Sequence, residues 1–285
     1  MDHSRNWLWV LVAVFAVATI VGVFSANLLV TVLQLVIMVA FALLHGGLRY
    51  GARGIAAFAV ICLVVSTLFE NLGVATGFPF GHYFYTDALG PKLFYVPLLI
   101  APAYLGVGYM AWVLATVLVG DVKRGADPLS TFATPFVATF IMVLWDFALD
   151  PTASTVDKNW IWEQGGGHFG VPLSNYLGWF LTVYVFMQLS ALYLRGRGPV
   201  GEAAQPPAYF FQAITMYTIV ALNFVLTYLV SGTEPVTDAA GAQWRTGDVF
   251  ETAAITSLLT MIFVAALAAI KVVQASPAPQ RKARK

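Results

Sequence analysis

Charge, cysteine and histidine are what this chain has least of. Asp, Glu, Lys and Arg make up only 10% of its 285 residues, against about 25% in a soluble domain. With 59% hydrophobic residues and a mean hydropathy of +0.78, too little polar surface remains to wrap a water-soluble globule. Lipid must cover much of the outside. The net charge is +1, and no basic stripe exists before the C-terminal tail, which excludes a nucleic-acid partner. One cysteine, Cys62, rules out an internal disulfide and any multi-cysteine metal site. Its apolar surroundings make it core filler. His3, His45, His82 and His168 never pair at helical spacing, so the clustered histidines of membrane di-iron oxygenases are missing. No GxGxxG precedes an acidic residue, so no dinucleotide domain is expected. Neither a metal nor a cofactor is expected.

Long apolar runs are what is there. A hydrocarbon core of about 30 Å needs roughly 20 apolar residues per helix. Eight spans satisfy this: Trp7–Phe24, Leu28–Leu44, Ile55–Leu72, Leu93–Val119, Ser130–Leu149, Tyr176–Leu194, Tyr209–Val230 and Thr252–Val273. Pro97 and Pro102 are expected to kink the fourth. The reading is an all-α polytopic membrane helix bundle of about eight transmembrane helices. Residues 1–275 form a single domain, and 276–285 a disordered basic tail.

Eight spans put both termini on one side. With that side inside, 12 of the 15 Lys and Arg residues are inner, and only Lys92, Lys158 and Arg245 are outer. The positive-inside rule then predicts a cell-membrane protein with cytoplasmic N- and C-termini. Ten of the 14 acidic residues fall outside. Longer outer loops explain that enrichment, and so does a working face.

Two outer loops carry the unusual residues. One runs from Glu70-Asn71-Leu72-Gly73 into Thr76-Gly77-Phe78-Pro79-Phe80-Gly81-His82-Tyr83-Phe84-Tyr85. The other runs from Trp145-Asp146 through Asp150-Pro151, Trp160-Ile161-Trp162 and Gly167-His168-Phe169-Gly170-Val171-Pro172 to Asn175 and Trp179. Both are too aromatic and glycine-rich for plain solvated loops. They are expected to be partly re-entrant, which irregular backbone tolerates where it lines a cavity. Glu70 lies 15 residues after Ile55 and Asp146 lies 16 after Ser130. At about 1.5 Å per residue, both sit roughly 23–24 Å from the inner face. Acids at that depth are costly and tend to be functional or paired. Asp150 follows Asp146 at helical spacing, and Pro151 makes Asp150 the expected last helical residue. The single D-x-x-x-D of Asp146 and Asp150 suits a magnesium–diphosphate, but the matching partner motif is missing.

These strings resemble the CruF-type carotenoid hydratase family, best between Glu70 and Trp179. The resemblance implies a cofactor-independent hydro-lyase. It would add water across a terminal C=C of an acyclic carotenoid end group, giving a tertiary alcohol. The implied partners are a carotenoid substrate, the lipid bilayer and other membrane enzymes of carotenoid synthesis. Within that chemistry the candidate catalytic residues are Glu70, Asp146 and Asp150. Asp146 or Glu70 donates the proton, and a second carboxylate accepts one from the attacking water. Aromatic faces stabilise the cation. The candidate substrate-binding residues are Asn71, Phe78, Phe80, Tyr83, Tyr85, Trp160, Trp162, Phe169, Asn175 and Trp179. For Trp160 and Trp162 an interfacial aromatic belt is the favoured reading. A UbiA-type intramembrane prenyltransferase and a carotenoid cyclase are the alternatives.

Overall fold

A computed structural model describes residues 3–25, 27–197 and 205–275. The basic tail after 275 lies outside them. The chain is an all-α membrane bundle. Among the described residues, seven helices are long and apolar enough to cross a bilayer.

The seven helices and the eight expected spans differ at one place. Helix α1 is His3–Ser25 and α2 is Leu28–Thr76. The 49 residues of α2 would reach about 73 Å if straight, far beyond a hydrocarbon core. They do not run straight. Gly51 has φ 66° and ψ 168°, which breaks the helix where only glycine reaches the conformation cheaply. Both halves of α2 lie along α3 (Ile100–Leu118). His45 bonds Tyr109, and Arg49 bonds Thr116, from the first half. Phe58 packs on Tyr109, and Glu70 bonds Tyr104, from the second. The chain therefore turns back at Gly51, and α2 supplies two spans.

The remaining helices are α4 (Ser130–Asp150), α5 (Leu173–Arg197), α6 (Pro207–Val230), α7 (Thr246–Thr256) and α8 (Ile262–Ala275). A π-turn, Ser257–Met261, joins α7 and α8 into one span. Helix α3 is the axis of the bundle, with Tyr104, Val107, Tyr109, Trp112 and Val113 fully buried. Small residues let neighbours approach it: Met38 packs on Gly106, and Phe186 on Gly108. On α1, Leu8, Val12, Phe15 and Ala18 face inward while Val10, Val14 and Val17 face out. Both faces are apolar, because lipid replaces water outside.

Two expectations need correction. The fourth span begins at Ile100 and not at Leu93, because residues 92–97 pair as strands β2 (Lys92–Leu93) and β3 (Val96–Pro97). Pro97 thus lies in a strand. Pro102 lies in the first helical turn, where its missing N–H has no intrahelical role, so neither kinks α3. The helix also does not stop at Asp150. It continues as a π-turn, Pro151–Val156, since Pro151 cannot donate to the regular ladder and the bonds widen to Asp157 N–H···O Thr152.

At one end of the bundle the two distant loops join. Strand β1 (Tyr83–Tyr85) pairs antiparallel with β4 (Trp160–Trp162), setting Tyr83 opposite Trp162 and Tyr85 opposite Trp160. Strand alternation turns Tyr83 and Tyr85 inward and leaves Phe84 outside. Phe80 plunges between α2 and α5, its ring against Gly73 on one side and Gly178 on the other. Phe80, Tyr83 and Tyr85 of these loops are thus buried in the end of the bundle. A second hairpin, β5 (Pro235–Thr237) with β6 (Gln243–Arg245), covers the same end through Phe169–Trp244 and Lys158–Thr237 contacts.

Candidate active site

A cavity of about 500 Å³ opens beneath the β1–β4 sheet. Glu70, Asp146 and Asp150 all line it, although each is no more than 2% exposed. Two separate pieces of chain deliver them. Glu70 comes from the end of α2, and the aspartates from one face of the last turns of α4.

Each carboxyl is held differently. Glu70 is fully engaged by phenols. Its Oε2 accepts from Tyr83 at 2.6 Å and Tyr85 at 2.9 Å, and its Oε1 accepts from Tyr104 at 2.6 Å. Burial, then the adjacent Glu70 carboxylate, pushes the Tyr83 and Tyr85 hydroxyls well above the ordinary tyrosine range, which keeps them donors. Asp150 also has both oxygens engaged. Its Oδ1 accepts the indole N–H of Trp160 at 2.7 Å and of Trp162 at 3.2 Å, and its Oδ2 accepts the Asn175 amide. Asp146 differs. Its Oδ2 shares the Asn175 Nδ2, at 3.1 Å, and its Oδ1 has no hydrogen-bond partner among the described residues. That oxygen belongs to a side chain lining the cavity.

Aromatic rings make the walls. Tyr104 stacks on Trp179 with centroids 4.2 Å apart, and Trp145 meets Trp179 edge-on. Tyr83 packs on Trp162 and Tyr85 on Trp160. Cation stabilisation needs such faces beside a dry site.

Of the sequence candidates, Phe80, Tyr83, Tyr85, Trp160, Trp162, Asn175 and Trp179 line the cavity with the three acids. Three do not. Asn71 ties the loop, donating to Thr67 O and accepting from Tyr95 N–H. Phe78 is 58% exposed, turned out beside the αL Gly77 cap. Phe169 packs edge-on against Trp244 under the β5–β6 hairpin. Trp160 and Trp162 point their N–H groups at Asp150, which an interfacial belt does not require. Sequence reasoning missed Tyr104 and Trp145. The signal for Tyr104 was a phenol inside an otherwise apolar span, since a buried hydroxyl needs a partner.

Fold and site together define a multi-pass membrane protein whose carboxyl groups and aromatic rings surround a cavity within the helix bundle. The profile of the carotenoid biosynthesis protein family matches residues 26–240, and the chain belongs to that family. Over 137 residues it is 36% identical to bisanhydrobacterioruberin hydratase of Haloarcula japonica. That overlap covers 44% of this chain and 42% of the relative, so the match spans less than half of that protein's length. No solved structure matches the chain.

Proposed function

We propose that this chain is a carotenoid hydratase, adding water across a terminal C=C of an acyclic carotenoid to give a tertiary alcohol. The observation that carries the reading is Asp146: its side chain lines an aromatic-walled cavity, one oxygen is anchored by Asn175, and the other has no hydrogen-bond partner among the described residues. Glu70 and Asp150 spend both oxygens on O–H and N–H donors, leaving them as acceptors. Asp146 is therefore assigned the proton. The name of the Haloarcula japonica relative and the family membership agree with this chemistry.

In the proposed reaction the Asp146 proton adds to the less substituted alkene carbon. The π pair forms the new C–H bond and leaves a tertiary cation. Tyr104 and Trp179 offer it their stacked faces, and Glu70 offers a fixed negative charge across the cavity. Water attacks the cation through oxygen, and Asp150 takes the proton that the oxonium releases. Asn175 Nδ2 donates to both aspartates and holds them side by side; acid–carboxylate exchange between Asp150 and Asp146 returns the proton to Asp146, and one water has been added. The sequence of steps is redox-neutral and needs no cofactor.

A prenyltransferase would need cations to grip diphosphate, and the cavity lining contains no Lys or Arg among the described residues. A cyclase would start with the same protonation but exclude water. Expression with a lycopene-producing pathway separates these readings: hydration adds one water to the pigment mass, whereas a ring leaves it unchanged. Activity that survives EDTA fits the cofactor-free reading, and magnesium dependence argues for the prenyltransferase. The distribution of Lys and Arg supports a cell-membrane protein with cytoplasmic termini and the site facing outward. Substrate and product both remain in lipid, so other membrane enzymes of carotenoid synthesis are its proposed partners.

A further inference from the structure

The cavity does not end at the carboxyls. Past Tyr104 it continues into a space bounded by α1, α2, α3 and α6. Helices α1 and α3 each pack against both α2 and α6. At the end away from the loops α2 and α6 touch, where His45 stacks on Tyr209 with centroids 3.7 Å apart. Towards the loop end the cavity lies between them. Two carboxamides line it there, Gln34 from α2 and Asn223 from α6. Neither side chain has a hydrogen-bond partner among the described residues. Gln34 lies six residues after Leu28, and Asn223 seven before Val230. At about 1.5 Å per residue both sit roughly 9–10 Å below the loop end, as deep as Glu70. Gly22 makes room for one of them: an added Cβ would lie 3.2 Å from Gln34 Nε2. Thr19 and Thr227 extend the polar wall. Both side chains are half-buried and open onto the cavity, where a ligand with hydrogen-bonding groups can satisfy their amides.

We propose that Gln34 and Asn223 form a subsite that hydrogen-bonds a hydroxyl group of the substrate, at a distance from the alkene being hydrated. A carboxamide donates and accepts, which matches a hydroxyl, whereas a pure hydrocarbon offers neither partner. Two helix–helix steps, α4 to α3 and α3 to α2, separate the subsite from Asp146. At about 8–10 Å per step that is roughly 10–20 Å, so the hydroxyl belongs to the same end of the carotenoid as the reacting bond. The identity of the ligand rests on the hydratase reading; the preference for a hydroxyl does not.

The test uses nerolidol and β-farnesene, two sesquiterpenes that share the terminal trisubstituted alkene but differ in a hydroxyl. Binding to the full chain in nanodiscs is followed by quenching of tryptophan fluorescence, since Trp145 and Trp179 line the cavity. The wild type should bind nerolidol about tenfold more tightly than farnesene, the size of one net hydrogen bond. Gln34→Met and Asn223→Leu should each erase most of that preference while leaving farnesene affinity within about twofold. A wild-type chain that binds both equally overturns the proposal without reference to any variant. So does a preference that survives both substitutions, and so does an equal loss for both probes, which would mark a role in holding water. A chain that hydrates no carotenoid yet prefers nerolidol would sink the hydratase reading and leave the subsite standing.

Discussion

Asp146→Asn isolates the proton donor from the architecture. The substitution keeps side-chain size and removes the acid. The new amide oxygen can still accept from Asn175 Nδ2, which lies 3.1 Å from Asp146 Oδ2. The new NH₂ then takes the place of Oδ1, which has no partner to lose among the described residues. Folding should therefore be affected by no more than about 1 kcal/mol, the scale of one rearranged hydrogen bond. Turnover should fall much further. A positioned general acid typically contributes about 10²–10⁴-fold, equivalent to roughly 3–5.5 kcal/mol of barrier. The assay follows water gain by mass, with purified protein in lycopene-loaded vesicles. Run in D₂O, the wild type should place one non-exchanging deuteron on the carbon next to the carbinol carbon. An Asp146→Asn protein at normal membrane levels that still hydrates within about threefold of wild type would refute the assignment.

Other perturbations probe the rest of the design. Glu70→Gln keeps one acceptor for three tyrosine hydroxyls, so it should fold but lose about 10²-fold in initial rate, as a missing electrostatic stabiliser does. Trp160→Phe retains the ring but removes a donor from Asp150 Oδ1; a stability loss of about 1–3 kcal/mol should appear as a lower melting temperature in detergent. Gly178→Ala would place a Cβ 2.6 Å from the Phe80 ring, and overpacking of about 1–3 kcal/mol should appear in the same melt. Gly47→Ala, with nothing within 4 Å, should be near neutral and serves as its control. Gly51→Ala forces a side chain onto φ 66°, ψ 168° and should lower helical content or melting temperature, at a cost of about 1–3 kcal/mol.

Much of the architecture was legible without coordinates, because the bilayer imposes a length and a polarity that sequence displays directly. Apolar runs separated by polar loops gave the spans. The depth argument put Glu70 and Asp146 near one face, and they share a cavity. Local pattern erred where a strand replaced helix before Ile100, and where Pro151 widened the helix without ending it. The spans also do not reveal that the break in α2 consists of one glycine and not a loop.

Sequence by itself settled that the chain lives in lipid, that its spans alternate, and that acids and aromatics gather towards one end. Those properties follow from composition and from one-dimensional spacing. Only the folded chain decided which groups meet. Pairing of β1 with β4 turned Trp160 and Trp162 onto Asp150, and the packing of α3 brought Tyr104 to Glu70. Packing of α1, α2 and α6 around a common space also placed Gln34 and Asn223 on the cavity wall. Contacts between residues so far apart in the chain depend on how helices and strands cross, and no local pattern encodes that crossing.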